Sequence, residues 1–121
     1  MPLTSREFVF NVPLKTKQRP RFYANNAYMD KPYKTWIAEM RALMAEHWAE
    51  APLETVNVLW VRFHGPARGD LDNLLGAVMD AGNGLIWRDD RVSIIARVEA
   101  EWVQAKQQQQ QIQMKVFYEL P

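Results

Sequence analysis

The segment Val56-Asn57-Val58-Leu59-Trp60-Val61-Arg62-Phe63 constrains the fold more than any other part of the chain. Side chains of an extended segment alternate between two faces, and here both sets are apolar: Val56, Val58 and Trp60 against Leu59, Val61 and Phe63. Such a strand belongs inside a sheet, so residues 56–63 are expected as a central strand buried on both sides. With 121 residues, 48% of them apolar, the chain can build the layers that strand needs, and one domain over residues 1–121 is expected. The absence of cysteine excludes a disulfide framework and thiolate chemistry and fits a reducing compartment. No run approaches the ~20 apolar residues of a spanning helix. Charges interrupt residues 1–11 where an export signal has its apolar core, so a cytoplasmic protein without a membrane partner is expected.

The remaining elements follow from periodicity. Phe8, Phe10 and Val12 alternate with Glu7, Val9 and Asn11, giving a strand over 6–12 that Pro13 ends. Residues 15–31 show no period and read as a polar loop with basic and aromatic teeth. Asp30 and Pro32 open a helix over 32–49, whose apolar stripe runs through Trp36, Ile37, Met40, Leu43, Met44, His47 and Trp48, making His47 structural. Residues 64–69 form a loop, and Leu71, Leu74, Leu75 and Val78 make the stripe of a helix over 70–81 that Gly82-Asn83-Gly84 stops. A strand over 92–103 places Val92, Ile94, Ala96, Val98, Ala100 and Trp102 on one face, and Ile112, Met114, Val116 and Tyr118 alternate in the last strand. The glutamines at 107–111 read as a hairpin turn between those two strands. The order is βαβαββ: an α/β (α+β) domain with a mixed sheet of about four strands and two helices.

The net charge of +1 hides an uneven distribution. Residues 1–34 carry seven basic and two acidic side chains (+5), whereas residues 67–90 carry two and five (−3). A basic arm is often only a solvated face. Beside an acidic cluster it suggests cations holding phosphates and carboxylates holding a metal at the phosphate being cut.

The acids are Asp70 and Asp72, flanking Leu71 where a loop enters a helix, and Asp89-Asp90 at the entrance to a strand. At that spacing Asp70 and Asp72 can converge on one ion while Leu71 turns into the core, and the second pair can close the site. Hard oxygen donors without a ligand cysteine suit Mg²⁺, or Mn²⁺, better than Zn²⁺. Caps and turns explain the same residues without any metal: Asp70 or Asp72 as an N-cap, Asp89-Asp90 as a turn. The two histidines, His47 and His64, support no zinc site, and no nucleophile–His–Asp motif is present.

The set Asp70-Leu71-Asp72-Asn73-Leu74, Asp80-Ala81 and Trp87-Arg88-Asp89-Asp90, followed by Arg97-Val98-Glu99, resembles the RusA family of Holliday-junction resolvases of bacteria and their phages. The resemblance runs from Lys17-Gln18-Arg19-Pro20-Arg21 to about Trp102. It implies a RusA-like fold and a homodimer that cuts four-way junction DNA symmetrically with Mg²⁺. By position it makes Asp70, Asp72 and Asp90 the catalytic, metal-binding carboxylates, with Asp89 as a further metal candidate. Arg19 and Arg21 match the family's basic element, and Lys17 and Arg68 join them as DNA-binding candidates. Two departures stand out. The family pattern has a lysine four residues after the second aspartate, where this chain has Gly76, and often a glutamine where this chain has Val92.

A lysine one turn beyond Asp72 would share its face and neutralise charge developing at a phosphate. Glycine does neither and lowers helix propensity by roughly 1 kcal/mol against alanine, so close packing against a second helix is the expected reason for it. Arg68, Arg88 or Arg91 supplying the cation, a slow enzyme, or a protein that binds junctions without cutting them are the readings that follow. Three functions therefore compete: a Mg²⁺-dependent endodeoxyribonuclease resolving Holliday junctions in recombination and repair, a weak or inactive junction-binding protein, and a structural domain whose aspartates are caps.

Overall fold

The computed structural model describes residues 2–17, 21–23, 26–28 and 30–120, the second and third stretches by backbone alone. Its elements are β1 (Leu3–Phe10), β2 (Arg21–Tyr23), β3 (Asn26–Tyr28), α1 (Lys31–His47), β4 (Val58–Gly65), α2 (Leu71–Gly82), β5 (Val98–Gln104), a 3₁₀ turn (Gln107–Gln109) and β6 (Gln111–Glu119). Four strands make a mixed sheet in the order β1-β6-β4-β5, with β6 antiparallel to β1 and β4, and β5 parallel to β4. With two helices on this sheet the fold is α+β, as the periodicity predicts.

The core lies between the helices and one face of the sheet. Alternation buries Phe8 and Phe10 of β1, Leu59, Val61 and Phe63 of β4, and Ile112, Met114 and Val116 of β6. The stripes Tyr33, Trp36, Met40 and Met44 of α1 and Leu74, Ala77, Val78 and Ala81 of α2 close over them. Burying side chains of this size contributes ~1.5–3 kcal/mol each.

The central strand departs from expectation on its other face. Val58, Trp60, Arg62 and His64 are only half-buried there, because among the described residues no second layer covers them. Trp60 is instead shielded by two cations, with the Arg62 guanidinium 5.0 Å and the Lys115 ammonium 5.2 Å from a ring centroid. Long basic side chains lay apolar stems over an aromatic ring while their heads stay in water, so these two residues supply the cover a helix would otherwise give. The strand also begins two residues later than expected and takes in His64 and Gly65, which the sequence reading leaves in a loop.

Other departures have equally local causes. Residues 21–23 and 26–28 pair as a small antiparallel hairpin inside the expected polar loop. Residues 92–97 are not strand: the amides of Ile94 and Ile95 both reach the Arg91 carbonyl in a turn, which buries both side chains, and Val92 is 84% exposed. The glutamine tract is no hairpin turn, because β5 and β6 lie on opposite sides of β4 and the tract crosses the end of that strand, with the Ala105 amide donating to the Gly65 carbonyl at 3.1 Å. Gln110 is built into that crossing, its Oε1 accepting from the Leu14 amide at 2.8 Å. His47 is exposed rather than part of the apolar stripe; its carbonyl accepts from Arg6, whose guanidinium stacks on the buried Trp48.

Candidate active site

The start of α2 is built by a sharp turn. Gly69 takes φ +61°, where a side chain would be strained, and Asp70 follows in extended backbone at φ −103°, ψ 148°. The Asp70 carbonyl accepts from the amides of Asn73 and Leu74 at 3.1 and 3.0 Å, so this residue holds the N-cap position through its backbone. Its carboxylate makes no capping hydrogen bond and is exposed. Asp72, in the first turn of α2, is exposed too, at the helix end where negative charge is favoured. Leu71 between them does not turn into the core; it is 39% exposed and lines a shallow pocket with Ala67, Arg68, Gly69, Leu74 and Trp102.

The other two acids follow from the opposite end of α2. Trp87 is fully buried against Gly82, where a Cβ would stand only 2.2 Å from the indole, and its Nε1 donates to Asn83 Oδ1 at 2.9 Å. That packing pins the segment leading to Asp89 and Asp90. Asp89 accepts from the Arg91 amide at 2.9 Å and pairs with its side chain, the turn expected of an aspartate before a change of direction. Asp90 is exposed. Among the described residues no three His, Asp or Glu side chains converge on a point that could hold a metal. The acids thus stand as two pairs, Asp70 with Asp72 and Asp89 with Asp90. Their donors are hard carboxylate oxygens, the type a Mg²⁺ that keeps several waters takes one or two at a time.

Of the basic candidates, Arg19 lies outside the described residues, and Arg21 opens β2 by its backbone alone. Arg68 is exposed beside the Leu71 pocket, Arg88 pairs with Glu54 at 3.2 Å and Arg91 with its neighbour Asp89. Lys17 is placed differently from all of these. Its amide donates to the Asn73 carbonyl at 2.8 Å, and its ammonium lies 3.1 Å from Asp80 Oδ1. On the way its stem covers Gly76, where an added Cβ would be 3.0 Å from Lys17 Cδ. The glycine therefore makes room for a lysine from the N-terminal loop, not for a second helix.

Asp80 is a residue whose role the spacing did not reveal. Its Oδ2 accepts from the Tyr33 hydroxyl at 2.6 Å, tying α2 to α1. Burial pushes the Tyr33 phenol well above its ordinary value, and the hydrogen bond and negative charge of Asp80 push the same way. The available signal was its position eight residues after Asp72, on the same helix face. The far end of α2 is closed by Arg41 of α1, which donates to the carbonyls of Ala81 and Asn83 at 3.0 and 2.6 Å.

Fold and side chains together describe a small α+β protein with exposed carboxylates at a helix start beside a loop lysine. The chain belongs to the endodeoxyribonuclease RusA family, whose model matches residues 11–117 of the 121. No curated protein matches it. The family is one of DNA-cutting enzymes. No described helix is long and apolar enough to cross a membrane.

Proposed function

We propose that the chain is a divalent-metal-dependent endonuclease that resolves four-way DNA junctions, acting as a homodimer because symmetric incision needs two sites related by a two-fold axis. The observation that carries this reading is the Asp70 carboxylate. It stands at an N-cap position without capping, exposed next to Asp72, in a chain of the RusA family.

Asp70 and Asp72 would hold Mg²⁺ or Mn²⁺, with Asp90 and then Asp89 as the other candidates. When bound, the ion supplies Lewis acidity at the phosphoryl oxygen and a hydroxide at neutral pH. The protein orients the scissile phosphate between α2 and the basic residues Lys17, Arg19, Arg21 and Arg68. Oxygen from water adds to phosphorus, the P–O3′ bond breaks, and the departing 3′ oxygen takes a proton, leaving a 3′ hydroxyl and a 5′ phosphate. Service in recombination and repair, in the cytoplasm of a bacterium or under a phage's control, follows from this activity.

The test is a labelled four-way junction in Mg²⁺. Asp70→Asn and Asp72→Asn are each expected to abolish cleavage while binding without metal persists or strengthens, since each removes a ligand and a charge that repels phosphate. Cleavage retained in both variants would sink the assignment.

A further inference from the structure

Asp72, Gly76 and Asp80 succeed one another at four-residue steps and so share one face of α2. The middle position has no side chain, and the Lys17 stem lies in the space one would fill. The Lys17 backbone is fixed there by its hydrogen bond to the Asn73 carbonyl, one residue from Asp72. Four residues of helix rise ~6 Å, so Asp80 and Asp72 lie about equally far along the axis from the place where the lysine crosses. A flexible stem rooted at that midpoint serves either turn.

From this placement we infer that Lys17 is a catalytic residue of the proposed nuclease, a mobile ammonium that rests on Asp80 and moves to the scissile phosphate held at the Asp70–Asp72 end of α2. The inference rests on the nuclease reading and deepens it. The exposure of the pair, 43% for the Lys17 side chain and 24% for that of Asp80, leaves the ion pair weak enough to exchange for a phosphate. Gly76 is then part of the same device: it is the gap through which a loop lysine lies flat on an acidic helix. Lys17 contributes charge only. It neutralises the oxygens of the phosphoryl group as the pentacoordinate transition state forms and exchanges no proton.

The experiment compares the full-length wild type, Lys17→Met and the double variant Lys17→Ala/Gly76→Lys, in which the shortened residue 17 clears the space a side chain at 76 needs, under single-turnover conditions on one labelled four-way junction in Mg²⁺. Junction binding in EDTA and thermal unfolding are followed in parallel. Methionine keeps the stem that covers Gly76 and removes only the ammonium. Cleavage by Lys17→Met is expected to fall about 10²–10³-fold, the loss seen when one preorganised group facing developing charge is removed. Binding should fall only a few-fold and the unfolding temperature should hold. In the double variant, a lysine rooted on the helix itself should recover at least tenfold of the lost rate, which a merely structural strut would not give. Lys17→Met cleaving within threefold of a wild type that cuts overturns the inference and leaves the nuclease reading intact. Slow cleavage that a lysine at 76 does not rescue overturns it as well, making Lys17 a strut. A wild type that leaves the junction uncut refutes the nuclease reading and the inference with it.

Discussion

Both helices of this protein begin at an aspartate in extended backbone, and the two aspartates behave oppositely. Asp30 turns its carboxylate onto its own helix, accepting from the Tyr33 amide at 2.8 Å, with Pro32 in the first turn. Asp70 caps α2 with its main chain only and leaves its carboxylate in water. One residue type in one kind of position therefore stabilises a helix in the first case and is available to a ligand in the second. A helix whose N-cap side chain makes no hydrogen bond has forgone a stabilising contact, and that separates Asp70 from an ordinary cap, a choice the spacing leaves open.

The sharpest way to break the contrast is to neutralise each aspartate. Asp70→Asn should take junction cleavage below detection, whereas Asp30→Asn should cleave at a rate close to that of wild type; equal losses in a gel assay would erase the distinction. The basic arm that precedes α1 in the chain gives the next largest effect. Loss of Arg19 and Arg21 together should flatten the dependence of log binding constant on log salt by about two units, one per phosphate contact, equally for all junction sequences. An unchanged slope would place the DNA surface elsewhere.

Stability separates the same pair more gently. Asp30→Ala should cost about 1 kcal/mol in urea unfolding, as lost caps do, and Asp70→Ala should stay within about 0.5 kcal/mol, as exposed substitutions do. The smallest effect concerns Tyr33, whose amide meets Asp30 and whose hydroxyl meets Asp80. Its phenol is raised above the ordinary 10.0 in the folded state. The unfolded chain then loses this proton first as pH rises, so the contribution is full below pH about 10 and declines above it. Tyr33→Phe should show a shallower loss of stability than wild type between neutral and strongly alkaline pH, and identical slopes would contradict the assignment.

Much of this was legible in the chain. The two amphipathic stripes, the alternation in β1 and β6, and the Asp70–Asp72 pair at a helix start all follow from local spacing. What stayed hidden is long-range. Nothing local to residues 107–111 reveals that they cross the end of β4 instead of turning back, because that is decided by which strand β6 pairs with. Nor does the apolar Trp60 reveal that cations, not a second layer, cover it. Gly76 is the clearest case: its spacing signals a missing side chain, but the lysine that fills the space arrives from a position 59 residues earlier.

Trp87 has a consequence for the second acidic pair. Its indole is locked under Gly82, and only three peptide units separate it from Asp90. A tether that short cannot carry the Asp90 Cα farther than about 11 Å from the anchor. Asp89 and Asp90 thus sample a small sphere fixed relative to α2, and their local concentration around that helix stays in the regime of short linkers, millimolar or above, whatever the protein concentration. Any ion or phosphate that docks within the sphere meets these carboxylates as an intramolecular event, with most of the entropy of bringing them there already surrendered when the chain folded. Enlarging Gly82 would evict the indole and lengthen the leash, so a substitution that touches no acid should dilute both.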